Sequence, residues 1–198
     1  MPEQIRPGLW RWTAAHPDWR PSDSDDAPAS WPREVGCVLH QTHSDAVFID
    51  PLAPVDDPSF WAWADELCHG REVSVLETIH YHRRSREQFQ ARYGATATAP
   101  AGVASLRLPA FQETLIWIAE HRALVPGDSL IAGADAELCV CPQSWLDCTD
   151  RRLTRAGLRA ALEQALAGLE VELVLVSHGE PVLQGGAAAL AAALREPA

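Results

Sequence analysis

A chain of 198 residues, 47% of them hydrophobic, has the length of one ordinary domain and enough apolar material for a substantial core, and residues 1–198 read as a single domain. Its 27 acidic against 16 basic residues give a formal charge of -11, which repels nucleic-acid phosphates and anionic lipid and argues against both as partners. No run approaches the roughly 20 apolar residues of a membrane helix, and the opening MPEQIRPGLWRW lacks the charged-then-apolar order of a signal peptide, so a cytoplasmic location is expected.

In chain order, GLWRWTA reads as a strand, with Trp10 and Trp12 on one face as an aromatic ledge. The acidic segment from His16 to Pro32 holds too many Pro, Ser and Asp for an element interior and reads as a surface loop. EVGCVLHQ and DAVFIDP form a hairpin across THS, and a helix capped by Ser59 runs to Cys68. REVSVLETI is a buried strand, and a polar helix from about Ser85 to Tyr93 ends at Gly94. ATATAPAGVASLRLPA is weakly patterned and extended, and ALVPGDSLIA is a strand broken by a Gly-Asp turn. Thr154 caps a helix to about Gly168, VELVLVS is a buried strand, HGEP a turn, and 186–194 a final Ala-rich helix. Hairpins first and strand-helix alternation later indicate a mixed αβ domain whose sheets are covered by helices. The five cysteines are odd in number and irregularly spaced, so all of them, the Cys139/Cys141 pair included, read as free thiols.

The chemistry gathers just past the strand ends. His80 and His82, two apart in SVLETIHYHRRSREQF, would leave extended backbone on one face about 6.6 Å apart at Cα, near enough to share an ion. Asp128 interrupts an apolar run in VPGDSLI, and His178 directly follows LVLVS. Titratable groups are rarely set at such points without a partner. Strand C-termini are where αβ sites assemble, which brings His80, His82, Asp128 and His178 into one candidate crevice. His16, His40, His43 and His69 lie beside turns or loops and are expected to be exposed.

Four motifs in this order resemble the metallo-β-lactamase-fold superfamily over about Ile5 to Arg195. VFIDP is similar to its early strand ending in Asp50, TIHYHRRS to its Thr-His-x-His-x-Asp-His signature, VPGDSLI to its Gly-Asp strand, and VSHGEPV to its last His turn. The resemblance implies an α+β fold, a four-layer αββα sandwich with a metal cleft at one edge, and water-mediated hydrolysis as the commonest activity.

The chain also departs from that pattern. Arg84 and Ser85 stand where the signature's Asp and last His serve a second ion, and in place of a further ligand histidine the segment after the signature offers Glu113, with His121 on a later helix. Two unit charges about 4 Å apart interact by about 4 kcal/mol at an effective dielectric near 20, so a divalent ion facing Arg84 would meet about twice that repulsion. The expectation is a degenerate site with at most one ion, zinc or iron, or none, held by His80, His82, Asp128 and Glu113. Asp128, His178 and Arg84 are the candidate catalytic groups, Arg84 either pairing with Asp128 or binding an anionic small-molecule substrate by its planar fork. Zinc leads to hydrolysis of an ester, thioester or phosphoester, and iron to mononuclear redox chemistry. A metal-free polar network for ligand binding or stability is the non-catalytic alternative.

Overall fold

Side-chain alternation along the strands sorts the apolar residues into three layers, and this sorting builds the fold. The computed structural model describes residues 2–21, 31–55, 57–132 and 137–195. Most of the acidic loop expected over 16–32 lies outside them. A first sheet contains, in spatial order, β1 (Glu3–Arg6), β2 (Leu9–Ala15), β3 (Glu34–Gln41), β4 (Asp45–Ile49) and β5 (Glu72–Leu76), antiparallel except for the parallel β4–β5 pair. Helices α1 (Pro58–Cys68) and α2 (Arg86–Tyr93) follow β4 and β5.

The second sheet is assembled from β6 (Val103–Leu108), β7 (Glu113–Ile118), β8 (Ala123–Val125) and, after a hairpin of β9 (Leu130–Ala132) with β10 (Leu138–Val140), β11 (Leu173–Val174). Its order is β11-β8-β7-β6, with β11 parallel to β8. Helices α3 (Gln143–Thr149), α4 (Arg155–Leu166) and α5 (Gly186–Arg195) complete the chain.

On the first sheet Leu39, Phe48, Val73 and Val75 pack outward with Phe60 and Ala64 of α1 and Phe89 of α2, while Val38, Val47, Ile49 and Leu76 point the other way. On the second sheet Leu115, Leu124 and Val174 turn outward toward Leu158, Leu162 and Leu190 of α4 and α5, while Ile116, Ile118, Val125 and Leu173 point inward. The two inward sets form one cluster, so the layers run helix, sheet, sheet, helix. This is the α+β four-layer sandwich expected from the sequence. Trp12 is buried in the outer layer, its Nε1 donating to the Leu52 carbonyl at 2.9 Å, and both Trp10 and Trp12 meet the ring of Trp63 at 5.7 Å.

Several element readings are corrected. Asp57, not Ser59, caps α1, its carboxylate accepting from the Ser59 and Phe60 amides ahead of Pro58 at the first turn. ETLIWI is a strand, β7, and His121 sits on a single 3-10 turn (Ala119–His121) rather than a helix. The CVC segment runs out of β10, and none of the five cysteines is in a disulfide, in keeping with the sequence reading. No helix among the described residues is long and apolar enough to cross a membrane.

Candidate metal centre

Each site residue follows a strand at the same edge of the sandwich: Asp50 after β4, His82 after β5, Asp128 after β8 and His178 beyond β11. Asp50 has a positive φ of 49°, a backbone turn that directs its carboxylate back over the end of β5. There Oδ1 accepts from the Thr78 amide at 2.8 Å, and Oδ2 accepts from the Thr78 hydroxyl and from His82 Nδ1 at 2.9 Å. These bonds pull the chain after β5 into a 3-10 turn over His80–Arg83 instead of letting it run on extended.

That turn overturns the geometry expected of the two histidines. They share no face: His82 is buried at 3% exposure and directed at Asp128, while His80 is exposed, its ring tilted against that of its neighbour Tyr81. Asp128 Oδ1 lies 3.0 Å from His82 Nε2 and 3.2 Å from His178 Nε2. Ligand atoms of His82, Asp128 and His178 therefore all fall within 4.8 Å of one another. The structure brings together three of the sequence's candidates and leaves His80 outside.

Glu113 is also outside, although fully buried. Its two oxygens accept from the amides of Gly127 (3.0 Å), Asp128 (3.2 Å) and Ser129 (2.9 Å) and from the Ser129 hydroxyl, so its acceptor capacity is taken up in shaping the turn that carries Asp128. Burial pushes Glu113 up to about 7, against the pull of the Ser129 hydroxyl and these amides. Gly127 is required here, because a Cβ would meet the Thr78 hydroxyl at 2.9 Å and the Glu113 carboxyl carbon at 3.1 Å.

Arg84 also departs from its expected partner. Its guanidinium turns inward, but donates to the carbonyls of Gly36 (3.0 Å) and Asp50 (2.9 Å) and to the Ser177 hydroxyl (2.6 Å) rather than to Asp128. It ties the end of β4, the start of β3 and the residue before His178 into one floor.

Burial and the nearby Arg84 oppose a charge on His82, yet Asp128 and Asp50 outweigh them and raise its pKa to about 9. Burial likewise opposes the Asp128 carboxylate, but His82 and His178 hold it well below the ordinary range. Burial lowers His178 despite its bond to Asp128, leaving it neutral, and its Nδ1 has no hydrogen-bond partner. Above the three residues opens a cavity of about 390 Å³, walled by His16, Trp31, Tyr81, Trp145 and Cys148. The His178 ring lies between Trp31 at 5.8 Å and Trp145 at 5.2 Å. Sequence reasoning passed over Thr78 and the two tryptophans. An apolar strand ending in Asp was the available sign that Asp50 meets a donor, while the tryptophans come from loops that carry no periodic signal.

The donor set suits a borderline transition metal. Two neutral imidazole nitrogens and a carboxylate are the chemistry such ions take, and the Asp50 carboxylate on His82 Nδ1 is the outer partner that orients a ligating imidazole. To hold an ion, His82 would have to give up the proton on Nε2 that faces Asp128.

No protein-family model and no curated protein sequence matches the chain. Its fold is nevertheless that of the metallo-β-lactamases. Over 98% of this chain and 95% of the other, it superposes on the metallo-β-lactamase DIM-1 exposed to ceftazidime with a TM-score of 0.59 and 10% identity. It superposes on TMB-1 with 0.56 and 11%, and on VMB-1 with 0.54 and 10%, each over 98% of this chain and 96% of the other. The chain thus has the metallo-β-lactamase fold, with His82, Asp128 and His178 grouped at its cleft.

Proposed function

We propose that this chain is a mononuclear metal-dependent hydrolase of small esters, thioesters or phosphoesters, with His82, Asp128 and His178 as the ligands. The observation that carries the reading is the convergence of those three side chains on one point at the base of an open cavity, with His82 oriented from behind by Asp50. Zinc is the first choice of ion and iron the second, since two histidines and one carboxylate serve either. When bound, such an ion supplies Lewis-acid polarisation of a carbonyl or phosphoryl oxygen and activation of water. The fixed charge of Arg84 beside the set supports a single ion rather than two, by the repulsion already given.

The protein's own residues supply orientation and exclusion. Asp50 and Thr78 fix the ring plane of His82, and Glu113 fixes the turn of Asp128. Trp31 and Trp145 flank His178 and shield it from bulk water. Arg84 is a positioning residue whose positive field favours an anionic substrate in the cavity. A second reading has one observation in its favour: His82 already satisfies both ring nitrogens with Asp50 and Asp128, as a metal-free ligand-binding network would.

Elemental analysis of protein purified without chelator, run beside hydrolysis of p-nitrophenyl acetate, p-nitrophenyl phosphate and an acyl thioester, separates these readings. The expected result is close to stoichiometric zinc or iron and measurable turnover on one substrate. His82→Ala and His178→Ala abolish both, and Asp50→Asn lowers activity by about 10- to 100-fold. Metal below about a tenth of an equivalent, with turnover unaffected by these changes, would leave the metal-free network standing.

A further inference from the structure

The cleft leaves two buried histidines unused. His40 was expected on the surface, beside a turn, but it lies on β3 paired with Leu9 and Val47, 2% exposed, on the same face as the inward-pointing Val38. His121, 5% exposed, ends the 3-10 turn between β7 and β8. They face each other across the gap between the two sheets, rings at 5.1 Å and 87°. This pair is remote from the cleft. Four residue steps along β3, about 13 Å of strand, separate His40 from Gly36, where Arg84 docks, and β8 intervenes between His121 and Asp128.

We propose that His40, His121 and Glu120 form a second site, for a divalent transition-metal ion such as Zn²⁺, at the rim of the sandwich away from the cleft. One ligand atom from each lies within 4.8 Å of the others. His40 Nδ1 and His121 Nε2 are both buried without a hydrogen-bond partner. An orphaned ring nitrogen in a dry setting carries a desolvation cost, which coordination removes. No hydrogen bond joins the two rings, so they do not satisfy each other.

The protonation states agree with this geometry. Burial lowers His40 below its ordinary value against the nearby Glu120, and burial together with His40 lowers His121, so each imidazole is neutral near pH 7 with a lone pair available. Glu120 is exposed, and its carboxylate would supply the third ligand. Two nitrogens on one tetrahedral ion sit about 3.3 Å apart, so closure asks side-chain shifts of about 1 Å. The adjacent cation, Arg6, is already paired with Glu172 at 2.9 Å while it donates to the His121 carbonyl at 3.1 Å, which limits its repulsion. An ion here would clamp β3 to the β7–β8 connection and so join the sheets at the end opposite the cleft.

The test silences the cleft with His82→Ala/His178→Ala and titrates the full chain with Co²⁺, reading visible d–d absorption, stoichiometry and the melting temperature. One Co²⁺ per chain with a raised melting temperature is expected. Adding His121→Gln or His40→Gln abolishes the absorption, and Glu120→Ala, an exposed change that does not threaten folding, weakens binding by about tenfold or more. Circular dichroism establishes that each variant is folded, and Glu120→Ala decides the matter if the histidine variants are not. Less than about a tenth of an equivalent of Co²⁺ in the cleft-silenced protein, or binding indifferent to Glu120→Ala and His121→Gln, would overturn the proposal. Since the cleft is disabled throughout, this outcome is independent of the hydrolase assay.

Discussion

His82 holds its proton between two carboxylates, and that charge has a consequence for the stability of the metal-free protein. Its folded pKa of about 9 lies above the ordinary 6.5. The stabilisation is therefore present in full below about pH 6.5 and is lost as pH rises through about 9, on the order of 3 kcal/mol in total. Urea midpoints of chelator-treated protein should fall across that window, and Asp50→Asn should flatten the decline. An alkaline decline of the same size in Asp50→Asn would place its origin elsewhere. At this scale the sequence was partly legible. Asp128 and His178 stood out as titratable groups set against apolar runs, a placement that demands a partner. The partnership itself was not legible, because HxH spacing is informative only once the backbone is known. The Asp50 and Thr78 bonds replace the extended geometry with a turn, and this separates His80 from His82.

Among the elements, β3 shows how a single missing methyl admits a neighbour. A Cβ on Gly36 would meet the Val176 carbonyl oxygen at 2.6 Å, and the Gly36 amide donates to the Ser177 carbonyl at 2.7 Å. Gly36 thus lets the two sheets touch through backbone just beneath Arg84. Gly36→Ala should destabilise the protein by about 1–3 kcal/mol, since neither backbone can yield without carrying Ser177 and His178 along. Chemical denaturation measures this, and an unchanged midpoint would mean that the sheets relax apart without cost. The β3–β4 hairpin, α2 with its Gly94 stop, the Thr154-capped α4 and the terminal helix were readable from alternation and caps. Strand β7 was not: Leu115, Ile116 and Ile118 are buried on both sides of the sheet, so ETLIWI has no polar alternation to mark it.

For the whole molecule, the inner layer draws Val38, Val47 and Ile49 from one sheet and Ile116, Val125 and Leu173 from the other into a single cluster. Neither sheet buries that face alone, so denaturation should proceed in one step. Far-ultraviolet circular dichroism and tryptophan fluorescence are expected to give coincident curves, and two separated transitions would show that the halves fold independently. The layered architecture was foreseeable from four motifs in order, whereas the cavity walls were not, because they are loop residues whose course depends on the finished sandwich. Arg84 connects these scales. Its guanidinium lies crosswise over the seam, gripping Gly36 and Asp50 on one side and Ser177 on the other. The halves cannot hinge open without unfastening this rivet, so the cavity walled by His16, Trp31 and Trp145 keeps its outline, and any molecule reaching His82, Asp128 and His178 would have to fit walls that cannot spread apart.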